Sequence, residues 1–244
     1  MDINYKNFKI LKRGDTGWGG LIEHDAGYIS PDEPRNKPFI DILNEGNSLN
    51  KGTKLAMVEP LIVYVVLQKF GILNRNGRIY PEQILKRQNE LYQQAIRERR
   101  AVGELDHPES SVIAGDRISH NIIETWWEGH TLMGKMEILM TPGFINYGIV
   151  STKGDEVANL LRNRIMIGVS SRGVGSLVEG KNGEQIVQDD FEIICWDVVT
   201  APSTPGSWIF KSKEEARPFV ENIEVKKAVL KESLKDNLDK FLLD

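Results

Sequence analysis

The segment Ile165-Met166-Ile167-Gly168-Val169-Ser170-Ser171-Arg172-Gly173 sets a serine at the end of an apolar, β-branched run and between glycines. A nucleophilic serine needs an open Oγ and backbone N–H groups near enough to hold a developing oxyanion; glycines permit that close approach. The pattern predicts a strand over residues 164–170 that runs into a tight turn, with Ser170 as candidate nucleophile. Its base should have a near-neutral pKa, for which histidine is the usual choice. The chain has four histidines: His24, His107, His120 and His130. His107 follows the acidic stretch Gly103-Glu104-Leu105-Asp106 and precedes Pro108, which fixes the backbone. His24 lies in irregular sequence, His130 in a hairpin turn, and His120 at a strand start, where it reads as a polar rim residue. A third group must orient the imidazole. Asp197, in Cys195-Trp196-Asp197-Val198-Val199, is a carboxylate inside an apolar strand, and a charge there is costly unless paired. Asp106, Glu104 and Glu192 are rival acids.

Taken singly, each of these residues also fits a plain structural role: a polar strand end, a surface imidazole, a partner for Arg172. Other chemistries have less support. A metal site could draw on His107, His120, Glu104 and Asp106, but no HExxH or CxxC spacing accompanies them. There is no P-loop, and Gly173-Val174-Gly175-Ser176 lacks the third glycine of a dinucleotide fingerprint, with Val178 in its place. The expectation is therefore no metal and no organic cofactor.

The elements that must position these groups follow from periodicity. Leu61-Ile62-Val63-Tyr64-Val65-Val66-Leu67 predicts a buried strand, and Asn74-Arg75-Asn76-Gly77 a turn. Pro81 opens a helix over residues 81–100. Residues 101–108 suggest a short strand and loop ending at His107. Residues 118–127 and 131–140 suggest two strands joined at Glu128-Gly129-His130. A short helix over 155–164 carries Val157, Leu160 and Leu161 on one face. A hairpin turns at Lys181-Asn182-Gly183, and residues 191–199 form a further strand. The sum is an α+β or mainly-β chain, a barrel or sandwich with helices packed outside.

In its 244 residues, 40% are hydrophobic and 27% charged, which suits a globular protein. The net charge of −4 offers no global basic field for nucleic acid. The single cysteine, Cys195, rules out an internal disulfide and fits a reducing compartment. Met1 to Arg13 lacks the apolar core of a signal peptide, and no apolar run reaches the roughly 20 residues of a membrane span. The expected division is an N-terminal extension or arm over 1–54, a catalytic domain over 55–210 and a charged helical tail over 211–244.

Four segments in order resemble the prohead core proteases of tailed phages, distant relatives of herpesvirus assemblin. They are Asn74-Arg75-Asn76-Gly77-Arg78-Ile79-Tyr80-Pro81, Gly103-Glu104-Leu105-Asp106-His107-Pro108, Trp126-Trp127 with Gly129, and Gly168-Val169-Ser170-Ser171-Arg172-Gly173 with Gly175-Ser176. The resemblance implies His107 as base, Ser170 as nucleophile with Ser171 as its non-nucleophilic neighbour, and Asp197 as third member. Arg172, by analogy with assemblin arginines, and the backbone from Ser170 to Gly173 would support the oxyanion. It implies an assemblin-like small antiparallel β-barrel wrapped by helices. The implied role is a serine endopeptidase inside the prohead in the host cytoplasm, cleaving scaffold, capsid protein and itself. Self-association is a further expectation; nucleic acid and membrane are not expected partners. Phe219-Val220-Glu221 and Leu230-Lys231-Glu232 loosely fit an apolar-x-Glu cleavage context. The alternative is a structural or docking component of the phage head that keeps the fold without catalysis.

Overall fold

A computed structural model describes residues 11, 14–22, 60–108 and 110–220. The apolar run becomes β2 (Leu61–Lys69), whose Val63, Val65 and Leu67 point into the core. Each such side chain withdrawn from water contributes roughly 1.5–3 kcal/mol. β2 pairs antiparallel with β6 (Thr131–Ile138), which returns through Gly129 from β5 (Ile118–Glu128). Gly129 adopts φ 56, a left-handed turn conformation. β4 (Val102–Glu104) and β10 (Ile209–Phe210) complete a five-stranded sheet in the order β10-β2-β6-β5-β4.

The second sheet is built around β7 (Gly168–Glu179). It contains β1 (Gly17–Ile22), β7, β8 (Gln185–Val187) and β3 (Arg78–Ile79) in that order, with β9 (Glu192–Val199) also paired to β7. β1 falls in the range read from sequence as an extension, yet it pairs with β7 from Gly17↔Leu177 to Ile22↔Arg172.

Val169, Trp196 and Val198 of this sheet meet Val63, Ile122, Met136 and Ile138 of the first in one core. α1 (Glu82–Arg97) starts after Pro81 and buries Ile84, Leu85 and Tyr92. α2 (Pro142–Tyr147) and α3 (Lys153–Arg162) follow β6; Thr152 and Asp155 close α3 with a capping box. The chain is thus mixed α+β and dominated by sheet. Leu105 bridges Val198 in parallel, and Gly168 bridges Trp208 antiparallel, so isolated bridges join the two sheets at their edges. The strands form two five-stranded sheets, and among the described residues no closed barrel is formed, unlike the barrel expected from sequence.

The turn expected at Gly168–Gly173 is instead part of the 12-residue strand β7. The glycines serve close packing. A Cβ at Gly173 would lie 2.5 Å from Phe191 Cε2, and one at Gly175 2.8 Å from Phe191 Cα. The strand expected to begin at 164 begins at Gly168, because Arg164 adopts φ 62 and ends the preceding helix.

Candidate active site

Register decides which serine meets which acid. In the β7–β9 ladder Ser170 stands opposite Asp197, and Ser171 opposite Trp196. Directly paired residues share a face, and successive residues alternate. Ser170 and Arg172 of β7 therefore share a face with Cys195 and Asp197 of β9. Ser171 points the other way, into the space between the sheets, where its Oγ accepts a bond from Gln68 Nε2 at 3.2 Å.

His107 reaches the same face from β4. Beyond Glu104 the chain crosses to β9, Leu105 bridging Val198 and Asp106 N–H donating to Val198 O at 2.8 Å. Asp106 adopts φ 67 at a bend, and the side chain of the next residue is buried. His107 Nδ1 then lies 2.7 Å from Asp197 Oδ2, with side-chain exposures of 2% and 0%. An ionised carboxylate only accepts, so Nδ1–H donates and Nε2 is left as the basic nitrogen.

Asp197 has partners besides His107. Its Oδ1 accepts from Glu104 N–H at 2.9 Å and from Arg172 Nη2 at 3.2 Å; Arg172 Nε lies 2.9 Å from Oδ2. Burial alone pushes its pKa up. The hydrogen bond and charge of His107, the Arg172 guanidinium and the Glu104 N–H outweigh burial and hold the carboxyl below its ordinary value.

A family model for the prohead core protein serine protease matches residues 18–217. The chain belongs to that family. It is 29% identical over 160 residues to the prohead core protein protease of Enterobacteria phage T4, covering 65% of this chain and 72% of the relative. Its fold is similar to the solved bacteriophage T4 capsid assembly protease, with TM-score 0.53 and 25% identity over 61% of this chain and 88% of that one. The family match starts inside β1.

The other expected residues of this prohead-family protease have further partners of their own. The Glu104 carboxylate accepts from Ala114 N–H at 2.6 Å and lies 3.1 Å from Arg117 Nε and 3.3 Å from Arg172 Nη2. Arg172 also donates from Nη1 to Ser110 O at 2.8 Å, and Gly173 sits in the ladder opposite Ile193 and Leu21. Asp106 and Glu192 are exposed.

His120 is not on a rim. It is fully buried, with Nδ1 2.9 Å from Ser119 Oγ and Nε2 2.9 Å from Trp196 O. Burial lowers its pKa to about 4, so it is neutral near pH 7. His130 packs on Phe70, and His24 lies outside the described residues. Trp126 is covered by Lys213, while Trp127 packs on Phe70. Among the described residues, no group of three or more His, Cys, Asp and Glu is placed to hold a metal, and no helix is long and apolar enough to cross a membrane.

Sequence reasoning missed the Arg117–Glu104–Arg172 series behind the aspartate. The signal was the acidic residue three positions before His107, which was weighed as a rival orienting group and as a possible metal ligand.

Proposed function

We propose that this chain is a serine endopeptidase that processes scaffold and capsid proteins as the prohead matures, by acyl transfer through Ser170, His107 and Asp197. The observation that carries the reading is the placement of Ser170 directly across the ladder from Asp197, whose carboxylate holds His107. Ser170 Oγ attacks the scissile carbonyl carbon as His107 Nε2 takes its proton. Asp197 holds the imidazolium so formed. Collapse of the tetrahedral intermediate breaks the C–N bond, and His107 returns the proton to the leaving amine. Water, deprotonated by the same nitrogen, then releases the acyl group and restores Ser170.

On this reading the enzyme works inside the prohead, in the host cytoplasm, and also cuts its own tail. Of the two apolar-x-Glu segments, Phe219 and Val220 are described, with Lys69 Nζ bonding Phe219 O at 2.8 Å; Glu221 and Leu230-Lys231-Glu232 lie outside the described residues.

One observation favours the second reading, a docking component without catalysis: Ser170 is only 1% exposed. A polypeptide substrate requires that cover to move. The test is incubation of the full chain with the phage's scaffold and capsid proteins, alongside Ser170→Ala, and fluorophosphonate labelling read by mass spectrometry. Cleavage that falls by about 10⁴-fold or more in S170A, with label on Ser170, supports the protease. Equal cleavage by S170A refutes the assignment. Absence of both cleavage and label favours docking.

A further inference from the structure

Behind the His107–Asp197 couple the fold lines up charges of alternating sign. Arg117 Nε lies 3.1 Å from Glu104 Oε2, and Glu104 Oε1 lies 3.3 Å from Arg172 Nη2. Arg172 Nε lies 2.9 Å from Asp197 Oδ2, the oxygen that holds His107. The Glu104, Arg172 and Asp197 side chains are 0%, 1% and 0% exposed, whereas Arg117 at 36% opens to solvent. Removing such ions from water costs several kcal/mol each unless they are closely paired. An aspartate that only oriented a histidine would not need a second buried carboxylate two steps away.

We infer that Arg172 and Glu104 are positioning residues for the His107–Asp197 couple, and that Arg117 is the solvent-side end of the same series. This rests on the protease reading above. Arg172 fixes Asp197 through Nε and Nη2, and its Nη1 is committed to Ser110 O. Its donors are thereby directed at the carboxylates and the loop, which assigns it to orientation. Glu104 fixes Arg172 from the other side, balances its charge, and supplies the backbone N–H that bonds Asp197 Oδ1 at 2.9 Å. A lone guanidinium beside the couple would oppose formation of the imidazolium; Glu104 offsets that opposition.

The other titratable groups around the couple come from every neighbouring element. Cys195 of β9 and Tyr92 of α1 are kept protonated by burial, and His120 of β5 is kept neutral by burial. Asp106, on the loop beside His107, is exposed. Among the described residues, Asp197, Arg172 and Glu104 are the buried charges that this series sets behind His107 near neutral pH.

The test titrates the His107 ring by NMR in the full chain carrying Ser170→Ala, so that neither self-cleavage nor a substrate enters. Glu104→Gln removes a negative charge and should move the midpoint to lower pH; Arg117→Gln removes a positive charge and should move it to higher pH. Each displacement should be about half a pH unit. A charge screened from the couple moves the midpoint in neither variant. Movement in the same direction, or none in either folded variant, overturns the inference. Should E104Q fail to fold, R117Q decides alone: a rise supports, no rise refutes. The result does not depend on whether Ser170 is the nucleophile, which the labelling experiment reads separately.

Discussion

Gly103→Ala tests whether the approach of β4 to β9 builds the site. Gly103 sits in β4 opposite His120, one residue before Glu104. A Cβ there would lie 2.6 Å from both Cε1 and Nε2 of His120, and closer still to the Trp196 backbone carbonyl. Ordinary contact begins near 3.4 Å, so the ring would have to yield by roughly 1 Å and the carbonyl by more. Neither can do so freely, since His120 Nε2 is bonded to that same oxygen and its Nδ1 to Ser119. β4 must therefore retreat from β9.

The bond from Glu104 N–H to Asp197, now 2.9 Å, would then stretch past hydrogen-bond range, and His107, three residues on, would shift with it. Overpacking of this kind costs about 3 kcal/mol when backbone is the obstacle. That corresponds to about 6–12 °C in Tm for a chain of this size. A displacement near 1 Å at the couple predicts about a 100-fold loss of cleavage. The assay is thermal melting beside scaffold cleavage, with Gly115→Ala as control. A Cβ at exposed Gly115 meets nothing within 4 Å and should stay within about 0.5 kcal/mol of the parent. If G103A melts within about 1 °C of the parent and cleaves normally, the steric reasoning is wrong.

Three further outcomes are expected. Asp197→Asn would present a donor to His107 Nδ1 and leave Nε2 protonated, lowering kcat by about 10⁴-fold in a single-turnover cleavage assay; a loss under tenfold would contradict the triad. Ser171→Ala should lose only the bond from Gln68, about 1 kcal/mol in urea unfolding, and keep most activity, because Ser171 faces away from Asp197. His120 has a folded pKa of about 4 against an unfolded value of about 6.5. Between those values the unfolded chain binds a proton that the folded chain refuses, so stability declines as pH falls from about 6.5 to 4, by about 3 kcal/mol. Urea unfolding at stepped pH should show that decline, and His120→Gln should remove it. An unchanged slope in H120Q would place its origin elsewhere.

Much of the secondary structure was legible because periodicity depends on neighbours along the chain. The helix expected over 81–100 runs from Glu82 to Arg97, and the strand expected over 191–199 from Glu192 to Val199. The Gly168–Gly173 segment misled because a glycine that makes room for a packed ring looks, in sequence, like a glycine that makes a turn. Phe191, which needs the room, is 18 residues beyond Gly173. β1 was equally hidden, since its Gly-rich sequence has little strand signal and forms its ladder only against β7.

The sequence by itself determined the inventory: a serine beside an arginine after an apolar run, a histidine locked ahead of a proline, and an aspartate inside an apolar strand. Residue type and local spacing suffice for that, since the capacity of a serine, a histidine or an aspartate for such chemistry is a property of its side chain. Only the tertiary structure decided their relations. The β7–β9 register put Ser170, and not Ser171, across from Asp197. The bend at Asp106 brought His107 onto the same carboxylate. Burial against Trp196 O made His120 a neutral structural residue, and Glu104 passed from rival acid to partner of two arginines. These outcomes depend on register, strand face and dielectric, which arise when segments up to 93 residues apart, as Glu104 and Asp197 are, come to within 2.9 Å.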